Sequence, residues 1–184
     1  MKSQKLNTIN YKKYSFKPYT REYLKQFNSE KKLLQKILNK EIIIEHFGST
    51  SVPGLGGKGI TDIIIQVPKK DFLKSKKILE KKGYEFKPSF KTRFFFKKYS
   101  KTKKIHIHLV SPQTVKFTRE AKVREFATEI AVRDYLRNHK KEAKRYEEVK
   151  KKAAKHAQGI GQKYRDYKKS YLDKLEKKAL MDYV

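Results

Sequence analysis

Cysteine is absent from this chain of 184 residues, which excludes disulfide bonds, thiolate catalysis and cysteine-ligated metal sites. Long apolar runs are absent as well, and none approaches the about 20 residues that a membrane-spanning helix requires. The N-terminal segment MKSQKLNTINYKKY is basic and lacks the apolar core of a signal peptide. These absences predict a cytoplasmic protein without a membrane partner.

Acidic residues are scarce: 19 Asp and Glu stand against 48 Lys and Arg, and the formal net charge is +29. A surface of this charge attracts polyanions in a salt-dependent manner. Lysine accounts for 40 of the basic residues and arginine for only 8. Arginine suits bidentate phosphate recognition, whereas lysine is also the ordinary solvated surface charge. A nucleic-acid partner and a simply solvated surface therefore both remain open.

The apolar residues change from helical to strand periodicity and back along the chain. After a basic arm over residues 1–18, the pattern predicts helices over 20–39 and 71–82, and strands over 41–47, 60–67, 84–87, 92–99 and 104–110. The KTK segment at 101–103 predicts a hairpin turn. From Thr118 to Met181 the pattern is helical, with breaks near 138–139 and 159–161.

These elements predict an α+β fold, with a mixed β-sheet of about five strands flanked by helices and a helical C-terminal half. The 11 Phe and 12 Tyr residues provide material for its core. We expect three parts: a basic N-terminal arm over 1–18, a sheet domain over 19–115, and a helical region over 116–184 packed on that domain.

The segment IEHFGSTSVPGLGGKGITDI, residues 44–63, places a loop with five glycines between two predicted strands. Glycine allows backbone N–H groups to converge on an anion, and the STS run adds hydroxyl donors. The loop does not match the Walker A pattern, because Lys58 is followed by Gly59. A phosphate-binding loop and a simple connector are both compatible with this composition.

A strand, a Gly-Ser pair, a loop and an acid within the next strand form the layout of the nucleotidyltransferase superfamily. The same segment resembles the signature of the GrpB family, EH-x-GST-x-VPGL-x-x-K-x-x-x-D. The resemblance covers residues 41–179 and continues, in order, through GYEF, TRFFFKK, IHIHLV, VRDYLRNH and YRDYKKSYLDKLEKKA. It implies a nucleotidyltransferase-like fold for the sheet domain.

The resemblance also implies a site in which Gly48, Ser49 and Thr50 contact the phosphates of a nucleoside triphosphate. Ser49 and Asp62 would be its catalytic residues. Sites of the superfamily hold divalent ions with an acid–x–acid pair on one strand and a third acid on a neighbouring strand. Asp62 fills the first position, but Ile64 stands at the second and cannot bind a metal ion. This departure weighs against standard two-ion chemistry.

Two histidines in the predicted strand KIHIHLV have a spacing that suits metal binding. His106 and His108 share one face, because side chains alternate along a strand. With Asp62, and with Glu45 as an extra carboxylate, they predict a site for Mg²⁺ or Mn²⁺, or for Zn²⁺, Fe²⁺ or Co²⁺, which imidazole suits better. Alternatively, the two histidines are hydrogen-bonded to the loop. His46 is a further candidate for the cleft or, as the favoured alternative, a buried residue that orients the loop.

Basic residues near this predicted site are candidates for binding phosphate groups. Lys58 lies within the glycine loop, and Arg93 and Lys97 share one face of the strand TRFFFKKY. Arg133 and Arg137 are one helical turn apart on the same helix face. This arginine pair suits either a phosphate or the acids of the sheet domain.

Three functions fit these residues. The first is the metal-dependent transfer of a nucleotidyl group from a nucleoside triphosphate to an unknown acceptor. The second is the non-catalytic binding of a nucleotide or another phosphorylated metabolite. A coenzyme A-like ligand is included, because domains that resemble this family occur fused to an enzyme of coenzyme A synthesis. The third is RNA binding by the basic surface, and the presence of a metal site separates the first function from the second.

Overall fold

The computed structural model describes residues 15–38, 42–88, 93–111 and 119–182, with side chains described from residue 127 onward in the last range. The helices are α1 (Glu22–Ile37), α2 (Phe72–Lys81), α3 (Arg119–Asn138), α4 (Lys140–Ala157) and α5 (Gly161–Asp182). The strands are β1 (Ile43–Phe47), β2 (Thr61–Gln66), β3 (Glu85–Lys87), β4 (Phe94–Tyr99) and β5 (Lys104–Val110). Residues 1–14 of the predicted arm, and residue 41 of the first predicted strand, lie outside the described residues.

The ends of these elements follow the turn residues of the sequence. Helix α2 stops before Gly83, which has a φ of 80°, and α4 stops before Gln158, which has a φ of 45°. The predicted turn between β4 and β5 is closed by a 2.8 Å hydrogen bond from the Ser100 N–H to the Lys103 carbonyl. Local sequence therefore determines most of the boundaries, as expected for glycine and short polar turns.

The five strands form one sheet in the order β1-β2-β5-β4-β3. Strands β2 and β5 are parallel, and every other neighbouring pair is antiparallel. The predicted α+β fold, with a mixed five-stranded sheet and a helical C-terminal half, is therefore confirmed. The parallel pairing places Asp62 beside His106 and Ile64 beside His108.

One face of the sheet forms the main apolar core. Ile63 of β2 and Ile107 of β5 are fully buried on it, and Leu34 of α1 and Leu79 of α2 cover them. Because successive side chains of a strand alternate between faces, the two histidines of β5 lie on the other face. The predicted alternation in KIHIHLV is thus confirmed.

The C-terminal helices lie over this second face. Ile130 of α3 packs on Phe47, Ile64 and Val110. A further cluster joins two residues of the glycine loop to all three C-terminal helices and consists of Val52, Leu55, Leu136, Tyr146 and Leu175. The loop is therefore packed between the sheet and the helices. In the described ranges, no helix combines the length and the apolar character needed to cross a membrane.

Replacing Tyr84 by Phe is expected to destabilise the fold. The Tyr84 hydroxyl donates to the Glu30 carboxylate in α1, and the two residues are 1% and 6% exposed. Losing this donor leaves a buried carboxylate with one partner fewer, at a cost of about 1–3 kcal/mol in unfolding free energy. Urea denaturation measures the change, and Tyr167→Phe, at a residue that is 43% exposed, is the control. An equal loss in both variants would contradict the prediction.

Candidate functional site

The glycine loop begins by passing directly over Asp62. Gly48 has a φ of 71° and a ψ of −172°, a conformation that is essentially restricted to glycine. A Cβ atom at Gly48 would lie 2.7 Å from Oδ2 of Asp62. The glycine is therefore required twice, once by the backbone conformation and once by the close approach of the carboxylate.

The far end of the loop is held by hydrogen bonds to its peptide groups. The Gly56 N–H donates to Glu147 at 3.3 Å, and the Gly56 carbonyl accepts a hydrogen bond from Lys150 Nζ. Gly57 exchanges two backbone hydrogen bonds with Lys17, at 2.6 and 2.9 Å. The N–H groups of Gly56 and Gly57 therefore already have partners within the protein.

The two hydroxyl residues predicted to contact phosphate face different surroundings. The Thr50 hydroxyl is buried, donates to the Ile60 carbonyl at 2.9 Å and lies 3.0 Å from Nε2 of His46. Ser49 lines a cavity together with Asp62. Of the predicted hydroxyl contacts, only Ser49 is thus placed beside the predicted acid.

Asp62 and His106 form the polar centre of the second sheet face. Oδ1 of Asp62 lies 3.2 Å from Nδ1 of His106, and the Tyr99 hydroxyl lies 2.8 Å from Nε2 of the same ring. Burial by itself raises the pKa of Asp62, but the His106 hydrogen bond and the nearby charge of Lys58 outweigh it, so this pKa lies below its usual value. Asp62 is therefore a carboxylate at neutral pH.

The other two histidines of interest are neutral. His108 is 7% exposed and packs against the rings of Phe47 and Phe95, and burial lowers its pKa to about 3. His46 lies on the opposite face, where its ring stacks on Phe27 at 4.7 Å between centroids and burial lowers its pKa to about 4. His46 is the buried, loop-orienting residue that the sequence predicts.

The residues present do not fit a two-ion carboxylate site. Ile64 is fully buried where a second acid would stand, and Glu45 is paired with Arg133 at 2.6 Å. Among the residues that the structure describes, no group of three or more His, Asp and Glu side chains is arranged to hold a metal ion. Asp62 and His106 are brought together, but they contact each other, and the metal ion stays a prediction.

The predicted phosphate-binding arginines contact acceptors of the protein itself. Arg133 also donates to the His46 carbonyl at 3.1 Å and to Asp134 at 2.8 Å. Arg137 donates two hydrogen bonds to the Ser51 carbonyl, at 3.1 and 2.8 Å. Arg93 lies 3.6 Å from Glu129. The alternative interpretation, in which Arg133 pairs with an acid of the sheet domain, matches the observed geometry.

A cavity of about 590 Å³ lies between the second sheet face and helices α3–α5. Ser49, Asp62, His106 and His108 line its sheet side. Its lining is strongly cationic, with seven basic residues, namely Lys58, Lys87, Lys97, Arg133, Lys150, Arg165 and Lys168. Its three acidic residues are Asp62, Glu129 and Glu176. Lys58 lies over the ring of Tyr164 and Lys97 over that of Phe95, each at 5.6 Å from the centroid.

Two lysines of the helical wall were missed by reasoning from sequence. Lys150 is 3% exposed, and burial lowers its pKa to about 7; burial also lowers the pKa of Lys168. A signal for Lys150 exists, because it shares the buried face of α4 with Tyr146, Ala153 and Ala157. A lysine at a core position of an amphipathic helix is rare unless it has a specific role.

The fold is nucleotidyltransferase-like. The structure of the Cid1 poly(U) polymerase bound to MgATP aligns with a TM-score of 0.50 and 13% identity, over 77% of this chain and 45% of that chain. The crystal structure of the conserved protein GrpB from Enterococcus faecalis aligns with a TM-score of 0.78 and 28% identity, over 92% of this chain and 99% of that chain. The first likeness shows the fold alone.

The family follows from sequence. The protein-family sequence model described as GrpB protein matches residues 13–178. A UPF0157 protein of Halalkalibacterium halodurans is 32% identical over 166 residues, which are 88% of this chain and 80% of that protein. The UPF0157 protein YqkA of Bacillus subtilis is 30% identical over 149 residues, and the match spans 78% of this chain but 41% of YqkA. The chain therefore belongs to the GrpB family, and the resemblance seen in its motifs is confirmed.

Replacing Gly48 by Ala is expected to destabilise the protein more than replacing Gly54 by Ala. Both glycines have positive φ, 71° and 81°, but a Cβ at Gly54 meets nothing within 4 Å, whereas a Cβ at Gly48 meets Asp62. A side chain at positive φ costs on the order of 1–3 kcal/mol at either position, and Gly48→Ala adds the steric contact. Thermal unfolding compares the two variants. Equal melting temperatures would show that the loop does not approach Asp62 closely.

Proposed function

We propose that this protein binds a phosphorylated small molecule, most simply a nucleotide, in the cavity between the sheet and the C-terminal helices. The observation that carries the proposal is the charge of the cavity lining, which has seven basic residues and three acidic ones. A cavity with such an excess of positive charge, partly shielded from water, favours an anionic ligand.

The size and the aromatic content of the cavity support a ligand as large as a nucleotide or a coenzyme A precursor. Its volume of about 590 Å³ falls within the range of roughly 300–1,000 Å³ that is typical of small-molecule sites. The rings of Phe95, Tyr146 and Tyr164 line it and offer apolar surface for a base, since aromatic rings stack on bases. Lys97, on the sheet side, and Lys168, on the helical side, add positive charge that favours an anionic ligand.

Nucleotidyl transfer is a second candidate, and the position of Asp62 favours it. An ionised carboxylate stands directly below Gly48 and beside Ser49, within a nucleotidyltransferase-like fold. In such a reaction the Asp62–His106 pair would orient the acceptor hydroxyl and take up its proton. The metal-dependent form of this reaction ranks below simple binding, because Ile64 occupies the position of the second acid.

Thermal-shift titration distinguishes the two candidates. We expect ATP, GTP, CTP, UTP or a coenzyme A precursor to raise the melting temperature in the presence of a chelator. Ligand at about 100 times its dissociation constant adds roughly 2.7 kcal/mol. Lys97→Met should weaken this effect, because it removes a cavity charge while retaining most of the stem. Lys174→Met, on the exposed face of α5, should not.

The same titration with Mg²⁺, Mn²⁺ or Zn²⁺ tests the transferase. Stabilisation that requires metal and disappears in Asp62→Asn, with release of pyrophosphate from a nucleoside triphosphate, would favour nucleotidyl transfer over binding. The exposed Asp182→Asn variant is the control. No stabilisation by any of these ligands would rule out the proposed function, and salt-dependent RNA affinity that is insensitive to Asp62→Asn would instead support an RNA-binding role.

A further inference from the structure

Two lysines of different helices meet at one tyrosine on the helical wall of the cavity. Tyr146 of α4 is 7% exposed. Nζ of Lys150, also on α4, lies 4.7 Å from the centre of its ring. Nζ of Lys168, on α5, lies 3.4 Å from its hydroxyl. All three residues line the cavity, on the side opposite Asp62 and His106.

Lys150 is a deeply buried amine with a weak counter-charge, whereas Lys168 is only partly buried. Within the described residues, Lys150 Nζ contacts the Gly56 carbonyl and the Tyr146 ring. The nearby carboxylate of Glu147 accepts the Gly56 N–H and pairs with Lys151 at 3.1 Å. A buried charge is stable only when it is paired or hydrogen-bonded. The pair Lys150–Lys168 is therefore a place where an incoming anion would relieve an existing electrostatic penalty.

We propose that Lys150 and Lys168 form an anion subsite on the helical wall, which binds the phosphate groups of the ligand and takes up a proton when it does so. This inference rests on the proposed function and specifies it. The phosphates lie toward α4 and α5, and the remainder of the ligand lies toward the sheet. The glycine loop then acts mainly as a wall of the cavity, held in place through Gly56.

Proton uptake follows from the surroundings of the two amines. Burial and mutual repulsion lower the pKa of Lys150 to about 7, against an opposing effect of Glu147. For Lys168, burial and Arg165 lower the pKa, while Glu129, Glu176 and Asp62 raise it. A phosphate beside these amines favours their charged forms and raises both pKa values. Because an amine is half protonated at its pKa, Lys150 alone would take up about half a proton near pH 7.

Calorimetric titration with inorganic tripolyphosphate tests the subsite, because this probe has phosphates but neither base nor sugar. Measurements near pH 7, at physiological salt and in two buffers with different ionisation enthalpies, give both the affinity and the number of protons taken up. Lys168→Met should weaken binding at least about tenfold, as expected for the loss of one charged contact. Lys174→Met removes the same charge from the exposed face of α5 and should change the affinity less than about twofold.

The variant Lys150→Arg distinguishes the effect of the positive charge at position 150 from the effect of its protonation on binding. Arginine keeps the positive charge but stays protonated in proteins, so this variant should still bind tripolyphosphate while taking up measurably less proton than the wild type. Lys168→Arg should restore much of the affinity lost in Lys168→Met. Unchanged circular dichroism and melting temperature identify variants that remain folded, and a variant that unfolds is replaced in the comparison by its arginine counterpart.

Two results would overturn the subsite in different ways. If nucleotides bind the wild type but Lys168→Met binds tripolyphosphate as the wild type does, or if Lys150→Arg takes up as much proton as the wild type, the subsite is wrong and the proposed function stands. If neither nucleotides nor tripolyphosphate bind the wild type, the proposed function fails and the subsite fails with it.

Discussion

The site depends on how the glycine loop is fixed between the sheet and the helices. The loop starts above Asp62 in a conformation that only glycine adopts easily, and its apolar residues Val52 and Leu55 pack among the C-terminal helices. The Gly56 peptide is bound on both sides by α4. One short segment therefore sets the distance between the sheet face that carries Asp62 and the helical wall that carries Lys150, and the cavity exists because that distance is held.

Arginines and lysines have different roles in this structure, which the composition alone does not reveal. Arg133 and Arg137 hold α3 to β1 and to the loop, through Glu45 and the Ser51 carbonyl. The planar guanidinium makes several directed hydrogen bonds at once, which suits this structural use. Lysines make up five of the seven basic residues that line the cavity. In a chain with 8 arginines and 40 lysines, two of the few arginines thus serve to hold the helical region to the sheet.

Much of this architecture could be predicted from sequence, because local patterns determine strands, helices and turns. The alternation in KIHIHLV placed His106 and His108 on the face opposite the core, and the GrpB-like motif located the loop. The spacing of the histidines could not show whether they converge on a metal ion, because sharing a face does not fix the direction in which each ring points. His106 contacts Asp62 and Tyr99, whereas His108 packs among aromatic rings. Contacts between distant elements, such as Lys150 with Gly56, depend on tertiary packing.

The parallel pairing of β2 with β5 has a consequence for the order of folding. Parallel strands need a long crossover, and here the connection contains α2, β3 and β4. Asp62 and His106 thus come into contact only when β2 pairs with β5. This step is slow in principle, because the loss of loop-closure entropy precedes the favourable contacts between the strands. An N-terminal fragment that ends before β5 carries the complete glycine motif but lacks the neighbour of its acid. The contact between Asp62 and His106 is therefore a property of the finished sheet and not of the glycine motif alone.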